Sequence, residues 1–194
     1  MKSSLPNAIT LARMAAVPVL AALALADARH AFNALLLAAL ASDLLDGWLA
    51  RRWRVATAFG ARLDSLADIL LMAVMLFALW VLHPIVFAEH GKPIYAVLGL
   101  LGLGHAYALL RYGHLASFHT WLLRGGIALF SLFAVVTFLW GFTPPLYYLA
   151  LACCALGALE QLAMIALLPQ WRPDIRGGLL EVLRQRARDQ ARPP

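Results

Sequence analysis

Asp43-Leu-Leu-Asp46-Gly47-Trp-Leu-Ala50-Arg51, then eight residues, then Gly60-Ala-Arg-Leu-Asp64-Ser-Leu-Ala-Asp68, sets four carboxylates inside strongly apolar sequence. A carboxylate at membrane depth costs roughly 2.5–3.5 kcal/mol on insertion scales, so four together require compensating charge. Asp43 and Asp46 are three residues apart and Asp64 and Asp68 four, so each pair shares one face of a helix. The short connection makes these helices antiparallel neighbours, with the two pairs facing across one polar cavity. Hard oxygen ligands at this density suit Mg²⁺ or Mn²⁺. Two such metals ~4 Å apart can clamp a phosphoryl group and stabilise both the attacking and the leaving oxygen. The stretch predicts metal-assisted chemistry in or beside a bilayer.

The rest of the chain supplies the bilayer. Of 194 residues, 63% are apolar and 13% charged, with a mean hydropathy of +0.77, whereas soluble domains are about half apolar and a quarter charged. A span needs ~20 mostly apolar residues. Segments 6–26, 31–52, 58–82, 93–112, 119–141 and 144–168 qualify, which predicts an all-α polytopic membrane protein with six transmembrane helices. Asp27 to His30, Arg51 to Arg54, His83-Pro84 to Gly91-Lys92-Pro93, Gly113-His114, and Gly141 to Pro145 supply the breaks. Asn7, Thr10 and Arg13 interrupt the first apolar run and no cleavage-like site follows, so it reads as a span and not a signal peptide. With both termini cytoplasmic, every Lys and Arg except Arg29 and Lys92 falls on the inside, as the positive-inside rule requires. This orientation sets all four aspartates at the cytoplasmic ends of the second and third spans.

No linker divides the chain, so one transmembrane domain is expected over 1–170, followed by a basic tail over 171–194. Leu179, Leu180, Val182 and Leu183 lie between the tail's charges. The tail therefore reads either as an amphipathic helix on an anionic leaflet or as a solvated segment that fixes topology. Cys153 and Cys154 are adjacent and read as small core or lipid-facing residues. Trp53, Trp80, Trp140 and Trp171 lie near span ends, as an aromatic belt predicts. His105 reads as a hydrogen-bonded core histidine. Glu160 and Gln161 read as polar groups that bond a neighbouring helix or line a subunit interface or lipid path.

Around the carboxylates, Gly47, Ala50 and Gly60 leave room for a substrate or permit close helix approach. Arg51 lies one turn beyond Gly47, where it meets a phosphate or sets topology. A structural ion-pair network would draw on Arg51, Arg52, Arg54 and Arg62, but these cluster at the water boundary and need not reach Asp43 or Asp68. An ion or proton pathway accounts for intramembrane carboxylates but not for small residues and an arginine at fixed spacing.

The pattern D-x₂-D-G-x₂-A-R-x₈-G-x₃-D-x₃-D is complete here and resembles the signature of the CDP-alcohol phosphotransferase family. Pro6-Asn7-x-x-Thr10-x-x-Arg13-x₄-Pro18 is similar to the opening of that family's bacterial phospholipid-synthase branch. The resemblance implies transfer of a phosphatidyl group from a CDP-linked lipid, usually CDP-diacylglycerol, to a small alcohol with release of CMP. It implies two divalent cations on Asp43, Asp46, Asp64 and Asp68, with Asp68 also the general base. It implies a nucleotide pocket shaped by Gly47, Ala50, Arg51 and Gly60 and bordered by Asn7, Thr10 and Arg13. It places the enzyme in a bacterial inner membrane, with its active site on the cytoplasmic side. Homodimers are common in the family, and no nucleic-acid partner is expected.

Arg111, His119 and Arg124 face the same side as the aspartates and suit an acceptor that bears phosphate. Those cations and the opening motif favour glycerol 3-phosphate. Asp64-Ser65-Leu66-Ala67-Asp68 looks more like the serine-accepting branch, and His119-Thr120 stands where the glycerol-phosphate branch carries lysine-threonine. Serine, inositol, inositol phosphate and choline stay open as acceptors. A non-enzymatic ion pathway or scaffold is the alternative from another class.

Overall fold

In lipid every backbone N–H and C=O must be satisfied within the chain, so long apolar runs fold as helices. The computed structural model describes residues 4–53, 58–114, 120–168 and 178–190. Among these are seven helices: α1 Ser4–Leu25, α2 Arg29–Trp53, α3 Ala58–Leu82, α4 Pro84–Tyr112, α5 Trp121–Trp140, α6 Pro144–Leu167 and α7 Gly178–Gln190. No strand occurs among the described residues. Five helices (α1, α3, α4, α5 and α6) are long and apolar enough to cross a membrane. The second predicted span, α2, has the 25-residue length of α3 but carries Asp43, Asp46, Arg51 and Arg52, which lowers its hydropathy.

The expected break between α3 and α4 is shorter than the sequence suggests. α4 begins at Pro84, not near residue 93, and runs through Pro93. Proline at a first helical position loses only an N–H that has no helical partner there. Pro93 does remove an interior hydrogen bond, and membrane helices tolerate this when other groups bond the freed carbonyls. The carbonyl that Pro93 frees is that of Glu89; the Tyr147 hydroxyl donates to its neighbour, the His90 carbonyl. Between α1 and α2 the chain reverses through Asp27 at φ +51°, a left-handed conformation that Asp adopts more readily than most residues. Arg29 Nε donates to the Asp27 carboxylate at 2.8 Å across that turn.

The helices form two compact units, one of residues 1–88 with 134–142 and the other of 89–133 with 143–194. In the first unit α1 packs against both α2 and α3. Leu20, Ala24, Phe32, Leu36, Met75 and Leu79 are buried in its core. The end of α5 is fastened here: Phe138 meets Phe32 edge-on at 4.9 Å, and its carbonyl accepts from Asn33 Nδ2 at 3.0 Å.

In the second unit α5 and α6 approach so closely that side chains are excluded. A Cβ at Gly126 would lie 2.8 Å from the Cys154 nitrogen, and one at Gly157 would lie 2.8 Å from the Leu123 Cα. Small residues allow this backbone contact in membranes. α7 docks at the end of the unit where α4 and α6 finish. Val182 is buried with Ala108, Met164, Ile165 and Leu168. Glu160 accepts from the Leu179 N–H at 3.0 Å, satisfying a donor that the first turn of α7 cannot bond itself. Glu160 thus bonds a neighbouring helix, one of its expected roles. A wholly solvated tail does not describe α7, although Leu180, Leu183 and Arg184 remain exposed.

Candidate active site

On α1, Asn7, Thr10 and Arg13 recur every three residues and so lie along one side of the helix. Asn7 is half-buried, while Thr10 and Arg13 are buried. The Arg13 side chain is 0% exposed. A guanidinium at that depth is costly unless charges pair with it and hydrogen bonds use its donors. Arg13 finds both. Its Nη1 donates to Asp43 of α2 and, at 3.1 Å, to Asp68 of α3; its Nη2 reaches Asp64 of α3 at 3.4 Å. The planar fork of donors suits a side chain that must reach several carboxylates at once.

One oxygen from each of Asp43, Asp64 and Asp68 lies within 4.8 Å of the other two. Asp64 and Asp68 share a face of α3, as their spacing predicts, and α1 joins them to Asp43. The three carboxylates are progressively more open, at 38%, 46% and 57% exposure for Asp43, Asp64 and Asp68. Arg13 closes the buried side of the cluster, and Asp68 is its most accessible member. Arg13 brings one positive charge to three carboxylates. Oxygens of a first shell lie ~2.0–2.6 Å from Mg²⁺ or Ca²⁺, so a 4.8 Å spread of hard donors fits a divalent cation. The oxygen-only donors and the partial exposure both match such a guest.

Gly60 is half-buried in the first turns of α3. Asp46, Gly47, Ala50 and Arg51 lie on α2, but the placement of their side-chain positions is outside the described residues, as is His119. Arg111 and Arg124 belong to the second unit and are exposed. Arg111 donates to the Tyr107 hydroxyl at 3.0 Å and to the Leu168 carbonyl at 3.2 Å. The Tyr112 hydroxyl also lies 2.8 Å from the Ile165 and Leu168 carbonyls, so both residues cap the C-terminal end of α6. Arg124 lies 5.9 Å from the centre of the Trp121 ring. His105 is half-buried, not a core residue, and donates from Nδ1 to the Leu101 carbonyl of its own helix at 2.8 Å.

The sequence reading missed Arg13 as the partner of the aspartates. It placed Arg13 at the rim of a nucleotide pocket and looked for ion pairs among Arg51, Arg52, Arg54 and Arg62. The available signal was a lone arginine inside the first apolar run, in register with Asn7 and Thr10.

Comparison with known proteins agrees with this constellation. The family described as CDP-alcohol phosphatidyltransferase matches residues 3–166. CDP-diacylglycerol–glycerol-3-phosphate 3-phosphatidyltransferase 1, chloroplastic/mitochondrial, of Arabidopsis thaliana is 44% identical over 91 residues, covering 45% of this chain and 30% of that protein. The CDP-diacylglycerol–glycerol-3-phosphate 3-phosphatidyltransferase of Rickettsia bellii is 37% identical over 79 residues, 39% of this chain and 44% of that one. Cardiolipin synthase (CMP-forming) of Oryza sativa subsp. japonica is 40% identical over 79 residues, 39% of this chain and 24% of that one. These matches span less than half of the relatives' own lengths. No solved structure matches the chain significantly.

Proposed function

Because the chain belongs to the CDP-alcohol phosphatidyltransferase family, we propose that it is a transferase of phospholipid biosynthesis that moves a phosphatidyl group from CDP-diacylglycerol to a small alcohol and releases CMP. The acceptor we assign is glycerol 3-phosphate. Relatives bearing that acceptor in their names match the chain in part, and the opening motif and cytoplasmic cations point the same way. The observation that carries the reading is the convergence of Asp43, Asp64 and Asp68 within 4.8 Å on a buried arginine.

Asp43, Asp64 and Asp68, with Asp46 from the same motif, are the residues that would hold two divalent cations, Mg²⁺ or Mn²⁺. When bound, such cations neutralise diphosphate charge and make CMP a better leaving group. The chain's own residues do the rest. Asp68, the most exposed carboxylate of the cluster, takes the proton from the acceptor hydroxyl as its oxygen attacks the phosphatidyl phosphorus. The new P–O bond forms to the acceptor, and the bond to the CMP oxygen breaks. Asn7, Thr10, Gly47, Ala50, Arg51 and Gly60 border the nucleotide. Arg111, His119 and Arg124 are assigned to the acceptor's phosphate.

The proposed topology has six spans, α1 to α6, with both termini in the cytoplasm of a bacterial cell. α2 crosses despite its charges because Asp43 is paired with the buried Arg13. A second reading, a non-catalytic ion-paired core, draws on the same Arg13 contacts, but it gives no reason for the small residues and arginine at fixed spacing in the motif.

CMP release in detergent tests the function, with CDP-diacylglycerol, Mn²⁺ or Mg²⁺, and separately glycerol 3-phosphate, serine, inositol, inositol phosphate and choline. Release with glycerol 3-phosphate alone is expected. Release with another acceptor reassigns the product, and none with any acceptor from folded protein removes the enzymatic reading.

A further inference from the structure

We infer that Arg13 is a built-in cation of the aspartate site, holding Asp43, Asp64 and Asp68 together when no metal is present and competing with a divalent cation for their oxygens. The inference rests on the metal-binding reading proposed above and adds what sets the site's affinity.

Several observations lead to it. The Arg13 side chain is fully buried, so its position is fixed by packing and not by solvent-exposed chance pairing. It reaches carboxylates from two helices at once, Asp43 on α2 and Asp64 and Asp68 on α3. Three carboxylate oxygens within 4.8 Å of one another repel, and the Arg13 guanidinium lies among them with the opposite charge. The same three carboxylates would ligate a cation, so guanidinium and metal draw on one donor set. An arginine does not shed its proton in proteins, so this competition is not relieved at any working pH. A lysine could deprotonate and withdraw.

Two consequences follow from this arrangement. The protein keeps its first three helices together in the absence of metal, since α1 remains tied to α2 and α3. Metal affinity is held below what the carboxylates alone would give, because a positive charge already lies among them.

The test is Mn²⁺ titration of the purified full chain in detergent. Bound Mn²⁺ is read by electron paramagnetic resonance, and thermal unfolding is followed with and without chelator. Arg13→Gln is expected to bind Mn²⁺ with a midpoint about tenfold lower than the wild type, as removal of a neighbouring positive charge requires. It is also expected to unfold at a lower temperature in chelator and to recover most of that loss in Mn²⁺. A purely structural arginine would lower stability equally in both conditions and leave the midpoint unchanged, and that result overturns the inference.

A variant that folds only in Mn²⁺ supports it. If Arg13→Gln folds in neither condition, Arg13→Lys decides: a midpoint below the wild type supports the inference, and one equal or higher overturns it. Wild-type protein that fails to bind Mn²⁺ removes the metal reading and the inference with it. Wild-type binding with an unchanged Arg13→Gln midpoint removes the inference alone.

Discussion

Arg13 and Asp68 are 55 positions apart in the chain and 3.1 Å apart in the fold. That contact ties the first apolar helix to the carboxylate assigned to the acceptor's proton. Structural support and chemistry therefore meet at one side chain, and the two must be separated by substitution.

Asp68→Asn keeps the shape of the side chain and removes its basicity. Arg13 retains Asp43 and Asp64 as partners, so the fold should persist. CMP release is expected to fall by roughly 10²–10⁴-fold, the usual contribution of a positioned base, with thermal unfolding within a few degrees of wild type. Near-normal turnover would remove Asp68 from the base role.

Chelation gives an independent check. CMP release should vanish in excess EDTA and return with Mn²⁺ or Mg²⁺, because four carboxylates beside a diphosphate would otherwise repel it. Full activity in chelator would rule out the metal site.

The close contact of α5 and α6 predicts a steric effect. Gly157→Ala sets a Cβ 2.8 Å from the Leu123 Cα, and backbone cannot step aside as a flexible side chain can. Destabilisation of about 1–3 kcal/mol is expected, the range for overpacking. Gly99→Ala, whose Cβ would meet nothing within 4 Å, is the control and should be close to neutral. Equal melting temperatures for the two variants in detergent would contradict the close packing.

His83 lies between α3 and α4, outside both helices. Burial, with help from the Arg29 guanidinium, lowers its pKa below the usual 6.5. The folded protein therefore favours the neutral ring, and the unfolded chain takes up the proton first as pH falls. The stabilising contribution is complete above pH 6.5 and is lost as pH drops through the lowered folded value. Melting temperature should decline on acidification more steeply in wild type than in His83→Gln. Parallel profiles would show that His83 contributes nothing to the acid response.

Glu160 bonds the first turn of α7 from a different helix. Losing a cap of this kind costs about 0.5–2 kcal/mol, which raises the undocked fraction of α7 roughly two- to thirtyfold. Glu160→Ala should speed tryptic cleavage at Arg184 and beyond while the remaining helices resist. Unchanged cleavage would mean that Val182 alone holds the helix.

The aspartate site was legible because its chemistry is written in local spacing. Asp64 and Asp68 share a face through helix geometry alone, and the motif around Asp43 and Asp46 carries the family resemblance. Arg13 was not legible as their partner because the pairing depends on which helices are neighbours, and apolar runs do not record that. The start of α4 was misplaced because Gly91-Lys92-Pro93 reads locally as a break, whereas the helix passes through it with Tyr147 bonding a carbonyl near the proline. Arg111 shows the same limit from the other side. A boundary arginine looks the same in sequence whether it awaits a phosphate or caps the last turn of a neighbouring helix, as Arg111 does for α6.

The bed beneath Val182 has a consequence for how the chain is made. Ala108, Met164 and Ile165 line it, and all three leave the ribosome before the residue that covers them. During synthesis the second unit therefore shows an apolar face until α7 has been translated and Glu160 has met its first turn. A chain stopped short of Gly178 would keep that face permanently, and quality-control proteases would read it as unfinished.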